Sequence, residues 1–236
     1  MTSIKQNIHQ ITLQIENSIQ KCGRRPNSVQ LLAVSKTKPI ELLEQAIEIG
    51  QRAFGENYVQ EGIEKVQYFQ KNHSDTSLEW HFIGPIQSNK TRPIAEHFDW
   101  VHSVERLKIA QRLNEQRPKE HGELNVLIQV NISSEESKSG TTSNEVMELA
   151  AAINDMPNLT LRGLMSIPAN ESNYDEQLAA FTQLASIQNQ LRAQYPQVET
   201  LSMGMSGDMD AAIEAGSTMV RIGTAIFGAR DYKNKE

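Results

Sequence analysis

VQLLAVSKTKPIELLEQAIEIG, residues 29–50, contains one complete strand-to-helix unit. VQLLAVSK (29–36) is a short apolar run of the kind buried on both faces of a parallel sheet. Pro39 suits the opening turn of a helix through Ile49, and Gly50 stops it. The alternation continues outward from this unit. RAFG (52–55), EWHFIG (79–84), DWVHSV (99–104), NVLIQVNIS (125–133), LTLRGLMSI (159–167), VETLSMG (198–204) and TMVRIG (218–223) read as further strands. Helices are expected over 57–71, 88–97, 105–117, 143–155 and 173–194, with a short one from Ser206 to Ala215. An amphipathic helix over 3–21 opens the chain, with Ile4, Ile8, Ile11, Ile15 and Ile19 spaced by three and four. Eight strand–helix units predict an α/β fold, a single (β/α)8 barrel with an extra N-terminal helix. A doubly wound open sheet is the rival pattern. Either fold puts chemistry at the carboxyl ends of the strands.

The chain has 236 residues, close to the roughly 250 of a typical barrel, and no linker or low-complexity tract divides it. Residues 1–236 are therefore expected to form one domain. Hydrophobic residues make up 38%, enough for a core. The longest purely apolar run is Leu149 to Ile153, far short of the roughly 20 residues of a membrane span. The N-terminal MTSIKQNIHQ has no signal-peptide character. Asp and Glu number 29 against 23 Lys and Arg, and no basic run suggests nucleic acid. Cys22 is the single cysteine, which fits a reducing, cytoplasmic setting. No base lies near it in KCGRR, so it reads as inert.

Lys36 follows LLAVS at a strand tip, where it is either a snorkelling or ion-paired side chain or a Schiff-base amine. TMVRIGTAIFGAR places Arg221 inside an apolar run, followed by Gly223 and Thr224 at a strand-to-loop turn. Loops after the seventh and eighth strands of barrels often hold phosphate through backbone N–H groups. Ser202 and Ser206, in LSMGMSGDM, stand beside the same cup, and Ser206 also reads as a helix N-cap. Ala229–Arg230 replaces the Lys–Ser/Thr that a P-loop needs, which excludes a nucleoside triphosphate site of that type. Glu56, Asn57 and Asn131 are weaker polar tips, His81 reads as a core histidine, and Lys138 as a solvated loop lysine. The histidines lack metal-ligand spacing, and neither GxSxG nor GxGxxG occurs.

A lysine after the first strand, an arginine in the eighth and a phosphate cup beyond it describe a pyridoxal phosphate site. LLAVSKTKP (31–39), FGENYVQE (54–61), WHFIGPIQSNK (80–90), SKSG (137–140), RGLMSIPA (162–169), SMGMSGDMDAAIEAGST (202–218) and VRIGTAIFGARDY (220–232) carry the resemblance. The chain resembles the pyridoxal phosphate homeostasis protein family, related to the N-terminal domain of alanine racemase. The resemblance implies pyridoxal 5'-phosphate held by Lys36 as an aldimine, with Arg221 facing the pyridine nitrogen. It also implies Gly223, Thr224, Ser202 and Ser206 around the phosphate and Asn57 near the ring. An arginine stays protonated, so the ring nitrogen would stay unprotonated and the cofactor would activate a bound amino acid weakly.

The expected function is accordingly a carrier that maintains the intracellular pool of the cofactor and passes it on, to apo-enzymes among others, without efficient catalysis. The fold-related racemases add a second base near a second domain, for which no chain is left after about residue 228. Tyr58 and Tyr232 are candidates for that base without supporting context. An amino-acid racemase, and a Schiff-base aldolase or epimerase acting on a phosphorylated substrate, are the alternatives. Neither membrane nor nucleic acid is an expected partner, and a monomer is the expected state. Lys138 is a speculative contributor to a second cofactor site.

Overall fold

Ile4, Ile8, Ile11, Ile15 and Ile19 are all buried, so the isoleucine stripe forms the inner face of α1 (Ile4–Lys21). Ser3 caps this helix by accepting from the Gln6 N–H, and the Gln6 side chain returns the bond to the Ser3 N–H. In the computed structural model, which describes residues 3–132, 139–168 and 173–229, α1 lies outside the barrel repeat. The repeat itself runs β1 (Gln30–Val34), α2 (Ile40–Glu48), β2 (Ala53–Glu56), α3 (Val59–Asn72), β3 (Glu79–Phe82), α4 (Thr91–His97), β4 (Trp100–Val104) and α5 (Leu107–Gln116). It continues with β5 (Leu124–Gln129), α6 (Val146–Asn154), β6 (Leu159–Met165), α7 (Tyr174–Gln194), β7 (Thr200–Ser202), α8 (Met209–Glu214), β8 (Met219–Ile222) and α9 (Thr224–Phe227).

All neighbouring strands pair in parallel, and β1 pairs with β8 to close the barrel. Leu32 stands opposite Arg221 across that seam and Ala33 opposite Ile222. Alternation along the strands sorts side chains into two sets. Ala33, Phe54, Trp80, Phe82, Val101, Val220 and Ile222 belong to the large core between barrel and helices. Leu32, Ala53, Ile83 and Met219 form a separate small cluster that plugs the lumen, with Val34 packed on it. Fully buried side chains such as Phe54, Phe82, Phe98 and Phe181 each contribute about 1.5–3 kcal/mol of transfer free energy. α1 packs against α8, α9 and α2, and the Asn7 side-chain amide donates to the Ile226 carbonyl at 2.7 Å. The extra helix thus spans the joint between the last and first units of the barrel.

The structure differs from the pattern reading at several ends. The helix expected over 88–97 opens as a 3-10 turn at Ser88–Lys90 before α4 begins. β7 is three residues long, not the seven of VETLSMG. The short helix starts at Met209 rather than Ser206, because Ser206–Asp208 form a turn in which the Asp208 carboxylate accepts from the Met205 N–H. Thr224 also opens a helix, α9, where a turn was expected. Among the described residues, no helix is long and apolar enough to cross a membrane.

Candidate functional site

β1 ends at Val34, and Ser35, Lys36 and Thr37 carry the chain over the C-terminal mouth of the barrel. The Ser35 N–H donates to the Gly55 carbonyl at 3.0 Å, and the Lys38 N–H to the Ser35 carbonyl at 3.1 Å. Thr37 adopts φ of +61°, a left-handed conformation that β-branched residues rarely take. Its N–H donates to Glu61 Oε1 at 2.6 Å, so α3 holds the turn in this shape. The same Glu61 oxygen accepts from Lys65 Nζ at 2.7 Å. Lys65 Nζ also donates to the Ser35 carbonyl at 2.7 Å and to Glu56 Oε1 at 2.8 Å, and Ser35 Oγ donates to that Glu56 oxygen at 2.6 Å. Burial raises the Glu56 carboxyl above its ordinary range, with Lys65 and Ser35 partly offsetting it. Half-buried Lys36 therefore rides on a turn fixed from below by Glu56, Lys65 and Glu61. On the outer side, Lys38 Nζ donates to the Gly228 and Ala229 carbonyls, tying the turn to the chain after α9.

Arg221 points into the lumen from β8 and is buried. Its Nη1 donates to the Ser202 carbonyl at 2.7 Å and to Ser202 Oγ at 2.9 Å, and its Nη2 donates to the Ser166 carbonyl at 2.9 Å. Three of the five guanidinium hydrogens are spent this way, and two remain for a ligand. Burial pulls the guanidinium down to about 10, with Asp208 acting the other way, so Arg221 is a cation at neutral pH. Ser202 Oγ, expected at a phosphate, faces His102 Nδ1 at 3.1 Å as well as Arg221. The hydroxyl is engaged inside the barrel, where it braces the arginine.

Gly223 follows β8 where the strand meets β1. A Cβ there would lie 3.1 Å from the Val34 carbonyl oxygen, so any side chain at this seam would press on the β1 backbone by a few tenths of an ångström. Thr224 is exposed at the start of α9. Asn57 follows β2, and the loop after β3 presses against it closely enough that a Cβ on Gly84 would come within 2.2 Å of its carbonyl oxygen. Asn57 Oδ1 is buried without a hydrogen-bond partner among the described residues, and so is Ser166 Oγ. Ser206 is exposed in the turn before α8; Asp208, not Ser206, is the N-cap residue of that helix. The capping role expected of Ser206 is thus corrected. Lys138 and Tyr232 lie outside the described residues, and Tyr58 is exposed at the start of α3. Cys22 ends α1, and burial together with Glu214 pushes its thiol up, which suits an inert side chain.

Lys65, Glu61, Ser166 and His102 are the parts that sequence reasoning missed. Period-two alternation was the available signal for His102, since it puts His81 and His102 on the same inward face of adjacent strands. Glu61 and Lys65 stand at i,i+4, but that spacing usually marks a solvated helix face.

Residues 8–231 match the family model described as alanine racemase, N-terminal domain. The pyridoxal phosphate homeostasis protein of Vibrio alginolyticus is 68% identical over 232 residues, covering 98% of this chain and all of the relative. A crystal structure of an unknown protein from Bifidobacterium adolescentis is 32% identical, with a TM-score of 0.90 over 95% of this chain and 94% of that one. PipY of Synechococcus elongatus, solved with pyridoxal phosphate bound, is 34% identical with a TM-score of 0.75, over 91% of this chain and all of PipY. The chain belongs to the pyridoxal phosphate homeostasis protein family, built on the alanine racemase N-terminal domain.

Proposed function

We propose that this protein binds pyridoxal 5'-phosphate at the C-terminal mouth of its barrel and keeps a reserve of it, releasing or delivering it to enzymes that lack it. Buried Arg221, pinned by three acceptors and left with two N–H groups, is the observation that carries this reading. The residues fit the group. Lys36, on the turn after β1, would bring a primary amine to the mouth, and the start of α9 would offer Gly223, the Thr224 hydroxyl and the backbone N–H groups that open a helix to a phosphate. The unpartnered Asn57 Oδ1 and Ser166 Oγ supply polar contacts for a ring and its substituents. Ser206, in the neighbouring turn, would reach the phosphate from the α8 side.

Pyridoxal phosphate supplies an aldehyde that condenses with an amine and a pyridine ring that withdraws electrons. Lys36 would hold the aldehyde end, fixed in place by the Glu56–Lys65–Glu61 cluster. Arg221 would donate to the ring nitrogen and keep its own proton, so the ring draws electrons weakly. Ser202 would keep Arg221 in that pose. A site built this way retains its cofactor while contributing little to carbanion chemistry, which supports a carrier without substantial catalysis of its own. The protein would work as a cytoplasmic monomer, and apo-enzymes would be its transient partners.

Borohydride reduction of the loaded protein followed by peptide mapping tests the attachment. The reading expects the reduced cofactor on Lys36, and a label confined to other lysines overturns that assignment. Delivery is tested by transfer from the loaded protein to an apo-enzyme, compared with an equal amount of free cofactor. Faster or protected reactivation supports delivery, whereas reactivation no better than with free cofactor leaves storage as the role. Substantial racemisation of an amino acid that depends on Lys36 overturns the carrier.

A further inference from the structure

A line of polar side chains crosses the lumen beneath Arg221. Ser202 Oγ accepts from Arg221 Nη1 at 2.9 Å and lies 3.1 Å from His102 Nδ1. His102 Nε2 lies 2.9 Å from His81 Nδ1, with the two rings edge to face. His81 stacks flat on Trp100, whose Nε1 donates to Glu79 Oε1 at 3.1 Å. Glu79 Oε2 is 3.6 Å from His81 Nε2, a nitrogen with no shorter polar partner among the described residues. Gln30 Nε2 donates to the same carboxylate oxygen at 3.1 Å. Glu79 begins β3, at the face of the barrel opposite the Lys36 turn, and its side chain is 43% exposed.

Donor accounting gives this line one direction. A guanidinium can only donate, so Ser202 Oγ is an acceptor towards Arg221, and its own proton is available for His102 Nδ1. The opposite direction would turn a bare His81 Nε2 lone pair towards the Glu79 carboxylate, so His102 carries its proton on Nε2, which donates to His81 Nδ1. His81 in turn carries its proton on Nε2, facing the Glu79 carboxylate. His102 is a ring of fixed tautomer, and the dipoles add from the cation at one end to the anion at the other. Burial, with the Arg221 guanidinium adding to it, holds His102 well below the usual histidine range, in keeping with a neutral ring.

We propose that His102 and His81 are positioning residues for Arg221, forming with Ser202 a polarised relay to Glu79 that sets the orientation and donor strength of the guanidinium. The relay lets a buried cation share its charge with a carboxylate at the far face without a direct ion pair. It leaves two N–H groups of Arg221 unspent. On the cofactor reading above, on which this inference rests, the far face of the barrel thereby tunes how strongly the ring nitrogen is hydrogen-bonded.

Two NMR measurements on the full-length protein test the relay. In the absence of added cofactor, nitrogen-15 spectra of the imidazoles report tautomers. Both histidines are expected to show a protonated Nε2 and a bare Nδ1; a proton on Nδ1 of His102 overturns the relay. With pyridoxal phosphate labelled at the ring nitrogen, the expected result is a shift of that resonance in His102→Leu relative to the unmodified protein. His102→Gln is expected to recover part of it, because its amide can accept from Ser202 and donate to His81. Glu79→Gln, far from the mouth, is expected to give a smaller shift in the same direction and serves should His102→Leu not fold. An unmoved ring resonance in both His102→Leu and Glu79→Gln overturns the positioning role. Failure of the unmodified protein to take up the cofactor refutes the cofactor reading instead, and the tautomers still judge the relay.

Discussion

Lys65 Nζ on α3 lies 2.8 Å from Glu56 Oε1 at the end of β2, and both side chains are buried. The ammonium has two further acceptors, Glu61 Oε1 and the Ser35 carbonyl, so all three of its hydrogens are used. Glu56 also accepts from Ser35 Oγ. A buried ion pair in this setting stabilises little by itself, because desolvation offsets most of the attraction. Its importance lies in joining α3 and β2 to the turn that carries Lys36.

Removing one partner strands the other charge. Lys65→Met is expected to destabilise the protein by about 3–5 kcal/mol in urea unfolding. The double substitution Glu56→Gln with Lys65→Met should be less destabilised than Lys65→Met alone. Equal stability of the single and double variants would show that the loss comes from packing instead.

Gly84 is predicted to resist replacement. In Gly84→Ala the new methyl would lie 2.2 Å from the Asn57 carbonyl oxygen, and backbone cannot swing aside as a flexible side chain can. A loss of about 1–3 kcal/mol is expected, measured by chemical denaturation. Displacement of Asn57 should also weaken cofactor binding, read by titration of the absorbance of bound pyridoxal phosphate.

The N-terminal helix offers an internal control. Ile19 is 1% exposed and Leu13 is 50% exposed on the same helix. Ile19→Ala is expected to cost about 2–5 kcal/mol through lost transfer energy and a residual cavity. Leu13→Ala should stay within about 0.5 kcal/mol. Thermal unfolding of the two variants compares them directly, and similar losses would mean α1 is not packed as described.

Glu79 predicts a pH dependence. The His81 imidazole, 3.6 Å away, is the largest influence holding the carboxyl down to about 2, helped by Gln30 and Trp100, while burial opposes the shift. The folded-state value lies below the roughly 4.3 of an unfolded glutamate, so its contribution is present above that pH and lost as pH falls towards 2. Solvent screening of this half-exposed group limits it to about 1 kcal/mol. The stability difference between the unmodified protein and Glu79→Gln should hold constant above about pH 5 and shrink below it. A difference that grows on acidification would contradict the contact.

Much of the architecture was legible because it rests on local periodicity. The isoleucines of α1 face inward as their spacing requires, and every strand was placed within a few residues. Errors fell at element ends, where hydrogen-bonded turns such as Met205–Asp208 compete with the helix. The site was legible only in part. Lys36 and Arg221 stood out as charges beside or within apolar runs. Lys65 did not, since a lysine among the glutamates and glutamines of VQEGIEKVQYFQKN reads as solvated, and it turns inward only because Glu56 waits there.

The order of amino acids by itself determined the alternation of strands and helices, the apolar face of α1 and the location of Lys36 at a strand tip. Tertiary structure alone decided which polar groups meet. Barrel closure sets β8 beside β1, and it brings His102 to Ser202 across 100 residues of sequence. A hydrogen bond requires a partner within about 3 Å, and no local pattern encodes a distance between strands so far apart in the chain. Ser202 shows the consequence. Its neighbours in sequence suggested a phosphate ligand, while the closed barrel turns its hydroxyl to Arg221 and His102.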